Sequence, residues 1–228
     1  MIPLRDANPT RRTPLVTLSL VIACFVVFAW ELGLMASGGE NALEDFITKW
    51  GVVPADLTAA WGRGDYLSRG TATLVTSQFL HGGWLHLLGN MLYLWIFGDN
   101  VEDNFGSLKF LIFYLLCGIA ATFAQYAVMP NSSIPNLGAS GAIAGVLAGY
   151  LVLYPQGRVT VLTQFGPTQL PALFVIGLWI VLQLFSGVGS IATTTQTAET
   201  GGVAYMAHVG GFFAGLVLAF FFRQGQRI

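Results

Sequence analysis

The sequence predicts an all-α polytopic membrane protein with six transmembrane helices. Of its 228 residues, 54% are hydrophobic and only 9% are charged, and the mean hydropathy is +0.67. A soluble domain of this length does not need so much apolar surface. The apolar residues also gather into several runs that approach or exceed the ~17–20 residues needed to cross a hydrocarbon core of ~30 Å.

Charge and cysteine content exclude several other classes of protein. The formal net charge of −1 argues against a nucleic-acid partner. Cys24 and Cys117 each lie deep in an apolar run, which is typical of small buried hydrophobic residues and not of a disulfide or a nucleophile. No cofactor and no metal site are expected.

The chain begins with a polar arm, residues 1–13, which is predicted to be cytoplasmic. An apolar run over residues 15–35 follows Pro14 and is predicted to form the first span. This run exceeds the ~7–15 residues of a signal-peptide core, so we interpret it as an uncleaved helix. It opens a predicted membrane domain that extends over residues 14–223.

A long connection, residues 37–83, separates the first two spans and carries eight of the 21 charged side chains. Its large apolar residues follow helical spacing, at Phe46, Trp50, Val53, Leu57 and Trp61. This pattern predicts amphipathic pieces that lie in the membrane interface. A small packed subdomain outside the membrane is the alternative, and the sequence leaves both open.

The later spans are predicted from the remaining apolar runs, at about residues 84–97, 108–129, 139–154, 170–185 and 203–222. A Gly/Ser/Thr-rich loop is expected over residues 186–202, and residues 224–228 form a predicted cytoplasmic tail. The fourth span is short for a bilayer and rich in glycine, so other helices must shield it. Its recessed start predicts a water-filled cavity above Ser140.

Basic residues set the predicted orientation, because Lys and Arg accumulate on the cytoplasmic side. With six spans both termini share one side, and that side holds seven of the ten basic residues: Arg5, Arg11, Arg12, Lys109, Arg158, Arg223 and Arg227. Both termini are therefore predicted to be cytoplasmic, in a multi-pass protein of the cell membrane.

Ser140 and His208 are the candidate catalytic residues. Gly141, Gly145 and Gly149 recur every fourth residue after the serine, and Gly211 and Gly215 follow His208 on one face of the sixth span. Such small-residue faces allow two helices to pack closely. If the two faces meet, the imidazole can reach the hydroxyl and activate it as a nucleophile.

His86 and Asn90 lie four residues apart on one face of the second span, at the same predicted depth as Ser140. Their side chains and the Ser140 backbone N–H can stabilise the oxyanion of a tetrahedral intermediate. Hydrogen bonding between helices is the alternative for each residue taken singly. His81, closer to the surface, is expected to face water or the loop.

Four motifs in this order resemble the rhomboid family of intramembrane serine proteases. They are FLHGGWLHLLGN over residues 79–90, Gly-x-x-x-Glu-x-x-x-Gly over 98–106, GASG over 138–141 and AHxxGxxxG over 207–215.

The resemblance implies a compact six-helix rhomboid-like bundle with a first loop half in the membrane and a Ser140–His208 dyad. It assigns His86, Asn90, Gly138 and Ser140 to oxyanion or substrate binding, and Glu102 with the glycines to the structure near the site. Membrane-protein substrates would be cleaved near the outer interface, and span five with its loop would control entry.

Two positions depart from the family pattern. The Trp-Arg pair that many members carry in the first loop is absent, and Ala72 and Thr73 stand near its place. The aromatic residue that often follows the serine by four positions is Ala144 here. Tyr205, three residues before His208 on the same helical face, is the candidate to orient the imidazole. The alternative is a tyrosine of the interfacial aromatic belt, and the sequence leaves both open.

Other activities fit the residues less well. A zinc intramembrane protease needs H-E-x-x-H, which is absent, and an aspartyl protease needs two facing carboxylates within spans, whereas only Asp99 lies near a span end. A polytopic transporter remains the main non-enzymatic alternative, although no inverted repeat is visible. A rhomboid-like binding protein without activity would be expected to lack Ser140 or His208.

Overall fold

The computed structural model describes residues 2–192 and 204–223. Eight helices occur in this part of the chain: α1 Leu15–Trp50, α2 Pro54–Gly62, α3 Arg69–Thr76, α4 Trp84–Phe105, α5 Ser107–Val128, α6 Ser140–Leu153, α7 Ala172–Ala192 and α8 Tyr205–Phe222. Three strands accompany them: β1 Ile2–Asp6, β2 Arg158–Thr163 and β3 Gly166–Pro171. The prediction of a loop over residues 186–202 is wrong for residues 186–192, which belong to α7. The rest of that loop, and the tail over 224–228, lie outside the described residues.

The six long helices α1 and α4–α8 form the predicted membrane bundle. Within the described residues, α1, α5 and α8 are long and apolar enough to cross a membrane, and α6 and the stretch Ala172–Gly187 of α7 are shorter apolar helices. Helix α4 has 22 residues and extends past the predicted end of span two at residue 97. The fold class of a polytopic helical membrane protein is confirmed.

Helix α6 is the centre of the bundle. Every residue from Gly141 to Tyr150 is buried, and α6 packs against α4, α5 and α8. Its small side chains explain this central position, because neighbouring backbones can approach it from several directions. The serine at its first position is therefore surrounded by other helices.

The two glycine faces meet between α6 and α8. A Cβ atom at Gly211 would collide with the carbonyl oxygen of Gly141, and one at Gly215 would collide with that of Gly145. The opposite side of this seam is closed by α5, since a Cβ at Gly145 would lie 2.5 Å from the Sγ of Cys117. Any larger side chain in the seam would force the helices apart.

The first loop contains the helical pieces that its apolar spacing predicts. Helix α1 is interrupted at Gly39, where φ is 70°, and α2 begins at Pro54. Val52, Leu57 and Leu74 form a small apolar cluster of their own beside α5. The backbone of Val52 exchanges two hydrogen bonds with Asn136, of 3.0 and 2.8 Å, so this unit is joined to the segment that leads into Ser140.

A three-stranded antiparallel sheet in the order β1-β2-β3 is an addition that the sequence did not predict. The polar arm supplies β1, and the connection between α6 and α7 supplies the β2–β3 hairpin. Because this hairpin follows the C-terminal end of α6, the sheet lies at the opposite end of the bundle from Ser140. The signal that the sequence offered is the alternation in β2, where Val159 and Val161 are fully buried on either side of the half-buried Thr160.

Glu102 joins three helices at that same end. Its carboxylate accepts hydrogen bonds from the backbone N–H of Val16 and Thr17, at 2.9 and 2.7 Å, and from the hydroxyl of Ser107 at 2.7 Å. The placement of Glu102 near the site is wrong. It lies 16 residues beyond His86 on α4, about 24 Å away at ~1.5 Å per residue.

Candidate active site

Ser140 and His208 are in direct contact. The Nε2 of His208 lies 2.7 Å from the Oγ of Ser140, which is within hydrogen-bond reach. Ser140 is the first residue of α6, and His208 lies in the first turn of α8 and is 7% exposed. The close glycine seam between these helices is what allows two short side chains to meet.

The backbone ahead of Ser140 is fixed by Gly138. This glycine has a φ of 119°, and its N–H donates a 2.8 Å hydrogen bond to the carbonyl of Ser77. A Cβ atom there would lie 2.7 Å from the Nε2 of His86 and 3.8 Å from the Oγ of Ser140. Gly138 therefore allows the His86 ring to approach the serine, and a residue with a side chain would prevent it.

His86 presents a donor toward this place. The N–H of Gly82 donates to the Nδ1 of His86 at 3.4 Å, which leaves the ring proton on Nε2 in the neutral form. Asn90 follows one turn later on α4 and is 8% exposed. Its Nδ2 has no hydrogen-bond partner within residues 2–192 and 204–223. The N-terminus of α6 adds the backbone N–H of Ser140.

Helix α7 supplies two contacts to His208 that sequence reasoning missed. The Nδ1 of His208 lies 2.7 Å from the Oε1 of Gln183, and the ring lies 5.5 Å from that of Trp179, measured between centroids. The predicted role of Tyr205 is not supported, because the hydrogen bonds and the ring contact of His208 within the described residues are made to Ser140, Gln183 and Trp179. The sequence did contain a signal for this contact, because Gln183 is a polar residue within an apolar run and such residues often mark a functional site.

His81 is buried, so the prediction that it faces water or the loop is wrong. It is 2% exposed, its N–H donates to the Oε1 of Glu31 at 3.3 Å, and its ring lies 5.2 Å from that of His86. Glu31 was also missed, although a carboxylate within a predicted span marks a position of interest. Glu31 thereby ties α1 to the loop that precedes α4.

A small cavity of about 30 Å³ adjoins Ser140 on the side of α5. Gln78, Thr122 and Gln125 contribute polar groups to its lining. A cavity needs ~10–15 Å³ to hold one water molecule, so this volume is sufficient. The same part of the chain, residues 2–192 and 204–223, contains no cluster of three or more His, Cys, Asp or Glu side chains suited to a metal ion.

These contacts define what the site can do chemically. A serine hydroxyl bonded to an imidazole nitrogen is the arrangement that generates a nucleophile. Hydrogen-bond donors from His86 on α4 and from the backbone at the start of α6 lie beside it. The combination fits acyl transfer through a tetrahedral intermediate better than metal-dependent or carboxylate chemistry.

Comparison with known proteins identifies a family over most of the chain. A family model described as the rhomboid domain matches residues 68–225. The rhomboid protease GluP of Bacillus subtilis is 34% identical over 146 residues, covering 64% of this chain and 25% of that protein. Rhomboid-like protein 11, chloroplastic, of Arabidopsis thaliana is 28% identical over 148 residues, covering 63% and 50%.

The human presenilin-associated rhomboid-like protein, mitochondrial, is 34% identical over 91 residues, covering 39% of this chain and 24% of that protein. The chain thus spans half or less of the length of these relatives. The family match includes all four motifs that carried the resemblance, so the resemblance is confirmed. The chain belongs to the rhomboid family.

Proposed function

We propose that the protein is an intramembrane serine endopeptidase that hydrolyses peptide bonds in or near the transmembrane segments of membrane proteins. The observation that carries the proposal is the 2.7 Å contact between His208 Nε2 and Ser140 Oγ. The similarity to a bacterial rhomboid protease supports the same reaction class. No cofactor enters the mechanism.

The reaction follows from the roles that these atoms can take. His208 Nε2 accepts the hydroxyl proton while Ser140 Oγ attacks the substrate carbonyl carbon. The oxyanion would accept hydrogen bonds from His86 Nε2–H, Asn90 Nδ2–H and the Ser140 backbone N–H. His208 then protonates the leaving amine, which leaves an acyl-enzyme, and a water molecule hydrolyses this ester by the same route.

Location and orientation belong to the same proposal. The site lies at the end of the bundle opposite the β1–β3 sheet, and the basic residues favour the sheet side as cytoplasmic. We place residues 1–13 and 224–228 in the cytoplasm, and the membrane domain, residues 14–223, in the cell membrane with the first loop at the outer interface. Labelling of Arg63→Cys, but not Arg5→Cys, by an impermeant maleimide on intact cells tests this orientation.

Purified protein reconstituted with single-span reporter substrates tests the activity. Ser140→Ala and His208→Ala should each lose nearly all cleavage, and the double variant should be little worse than either, because residues that act as a unit are not additive. A fluorophosphonate should label the wild type and not Ser140→Ala. Cleavage by purified Ser140→Ala would refute the proposal, and reporter binding without cleavage by the wild type would indicate a binding protein instead.

A further inference from the structure

His208 has a partner on each ring nitrogen, and only one of them takes part in the reaction just described. Nε2 faces Ser140, whereas Nδ1 lies 2.7 Å from the Oε1 of Gln183 on α7. Gln183 is half-buried, in the part of α7 that faces α8. The hydrogen bond between His208 Nδ1 and Gln183 therefore has a role other than proton transfer with Ser140.

The chemistry of imidazole fixes the direction of that hydrogen bond. Nε2 can take the serine proton only when it is unprotonated, so the single proton of the neutral ring must be on Nδ1. A buried Nδ1–H needs an acceptor, and the carbonyl oxygen of the Gln183 amide provides one. The opposite tautomer would put a proton between Nε2 and Ser140 and would remove the base.

The same helix also fixes the plane of the ring. Trp179 lies four residues before Gln183, on the same face of α7, and its ring is tilted by 40° to that of His208 at 5.5 Å. The position four residues after the serine, where an aromatic side chain could have stacked, is Ala144. In this chain the support for the imidazole therefore comes from α7.

No carboxylate competes with Gln183 for this role. Helices α5, α6 and α7 contain no aspartate or glutamate, and their titratable residues within the described part are Lys109, Tyr114, Cys117, Tyr126 and Tyr150. His86 on α4 is the other titratable group close to the serine, and it lies on the Gly138 side of the site. The hydrogen bond to Nδ1 is thus made to a neutral amide and not to a charged acid.

We propose that Gln183 is a positioning residue that selects the reactive tautomer of His208 and holds its ring toward Ser140. The inference rests on the proposed function, because it concerns the same base. It follows that the base is competent only while α7 lies against α8, so the position of α7 and the chemical step are coupled. Gln183 does not touch the reacting atoms and acts through His208.

Three variants of α7 separate this role from simple packing. Gln183→Leu removes the acceptor and should lower kcat by about 10–100-fold with little change in KM, because a misplaced base loses rate steeply. Gln183→Glu keeps an acceptor and adds a charge that favours the imidazolium, so cleavage should persist with its acid limb moved to higher pH. Leu182→Ala, a neighbour that is 54% exposed, is the control and should match the wild type.

A packing role would lower activity in Gln183→Leu without moving the pH profile of Gln183→Glu, and that result would overturn the proposal. Wild-type kcat in Gln183→Leu would overturn it as well. If Ser140→Ala and His208→Ala are inactive but Gln183→Leu is fully active, the proposed role of Gln183 is refuted and the proposed function stands. Cleavage that does not depend on Ser140 would instead remove the proposed function.

A measurement on the resting protein gives an independent answer. The chain has three histidines, so nitrogen NMR of protein labelled with ¹⁵N-histidine in detergent resolves few imidazole signals. The His208 ring should carry its proton on Nδ1 in the wild type and lose this preference in Gln183→Leu. A wild-type ring protonated on Nε2 would contradict the proposal without any reference to activity.

Discussion

Asn90 differs from the other buried amides in how its donors are used. The Nε2 of Gln78 donates to the carbonyl of Leu74 at 2.9 Å, whereas the Nδ2 of Asn90 has no partner in the described part of the chain. An unpaired buried donor costs about 1–3 kcal/mol of stability. Such a donor suits an oxyanion site, because it is unpaired in the resting protein and can bind the negative charge that develops during the reaction.

Replacing Asn90 with alanine should therefore damage chemistry more than folding. We expect Asn90→Ala to lower kcat by about 10²–10³-fold, as loss of one preorganised donor does, with KM almost unchanged and no fall in melting temperature, because the unpaired donor does not stabilise the fold. Thr73→Val is the control, because it removes a buried hydroxyl that is bonded to Gly70 and does not line the cavity beside Ser140, so it should lower stability alone. An increase in KM with normal kcat would identify Asn90 as a substrate contact.

For single residues, the sequence could predict those that belong to regularly spaced motifs. It could not predict which residues of different apolar segments contact one another. Ser140 and His208 were found because glycine spacing placed them on faces that can meet. Gln183 and Glu31 were missed because a lone polar residue in an apolar run does not specify its partner. Tyr205 was predicted to orient His208 because it is close along the same helix. In the structure the His208 ring points toward α7 and contacts Gln183 and Trp179 instead.

The seam between α6 and α8 shows how an element sets the geometry of a residue pair. Backbone carbonyls of Gly141 and Gly145 lie where the side chains of positions 211 and 215 would be. The approach is so close that the stability of the bundle and the position of His208 depend on the same glycines. Interior packing at this density leaves no room for one additional methyl group.

Gly211→Ala is expected to lower the free energy of unfolding by about 1–3 kcal/mol and to reduce cleavage, because α8 must move away from α6. Gly33→Ala on α1 is the matched control, since a Cβ there meets nothing within 4 Å. In a helix free of such contacts, alanine raises stability by about 0.5–1 kcal/mol over glycine. Equal melting temperatures for the two variants would show that the seam is not tight in solution.

The N-terminal strand is anchored to the bundle through Asp6. Its Oδ2 accepts hydrogen bonds from the side chains of Asn8, Asn100 and Tyr150, at 3.1, 3.0 and 3.2 Å. Burial raises the pKa of Asp6, and the hydrogen bonds from Asn8 and Tyr150 offset part of that rise. The folded protein therefore binds this proton more tightly than the unfolded chain does.

A pH dependence of stability follows from the raised pKa. The contribution of Asp6 protonation is fully present below the unfolded pKa of about 3.8 and is lost as the pH rises through the higher folded value. The wild type should therefore gain melting temperature relative to Asp6→Asn as the pH is lowered from 7 to 4. Both proteins share all other carboxyl groups, so the difference reports Asp6 together with its electrostatic effect on the neighbouring Asp99. A difference that falls toward pH 4 would contradict the raised pKa of Asp6.

At the scale of the whole molecule, hydropathy predicted the bundle because a membrane requires long apolar segments with satisfied backbones. It could not predict the sheet or the far end of α4, where polar groups satisfy one another outside the apolar runs. The apolar run predicts an end of span two at about residue 97, yet α4 continues to Phe105. Glu102 illustrates the reason. Its hydrogen-bond partners come from α1 and α5, which are distant in the sequence, so no local sequence pattern predicts them.

Glu102 should therefore be a determinant of global stability and not of catalysis. Its carboxylate accepts from two backbone N–H groups and from the hydroxyls of Thr17 and Ser107, at 2.8 and 2.7 Å, and it is 3% exposed. A glutamine has one acceptor oxygen, and its N–H₂ group would face donors. Glu102→Gln is therefore expected to lower the free energy of unfolding by about 2–4 kcal/mol.

The neighbouring Asp103 provides the matched control. It accepts one hydrogen bond of 3.2 Å from the backbone of Arg11 at an exposed position, so Asp103→Asn should change stability by less than about 1 kcal/mol. Thermal unfolding in detergent measures both variants, and cleavage per folded molecule is measured well below the melting temperature. Because Glu102 lies at the far end of α4 from Ser140, folded Glu102→Gln should retain wild-type turnover. A selective loss of turnover with normal stability would instead mean that the two ends of the bundle are coupled.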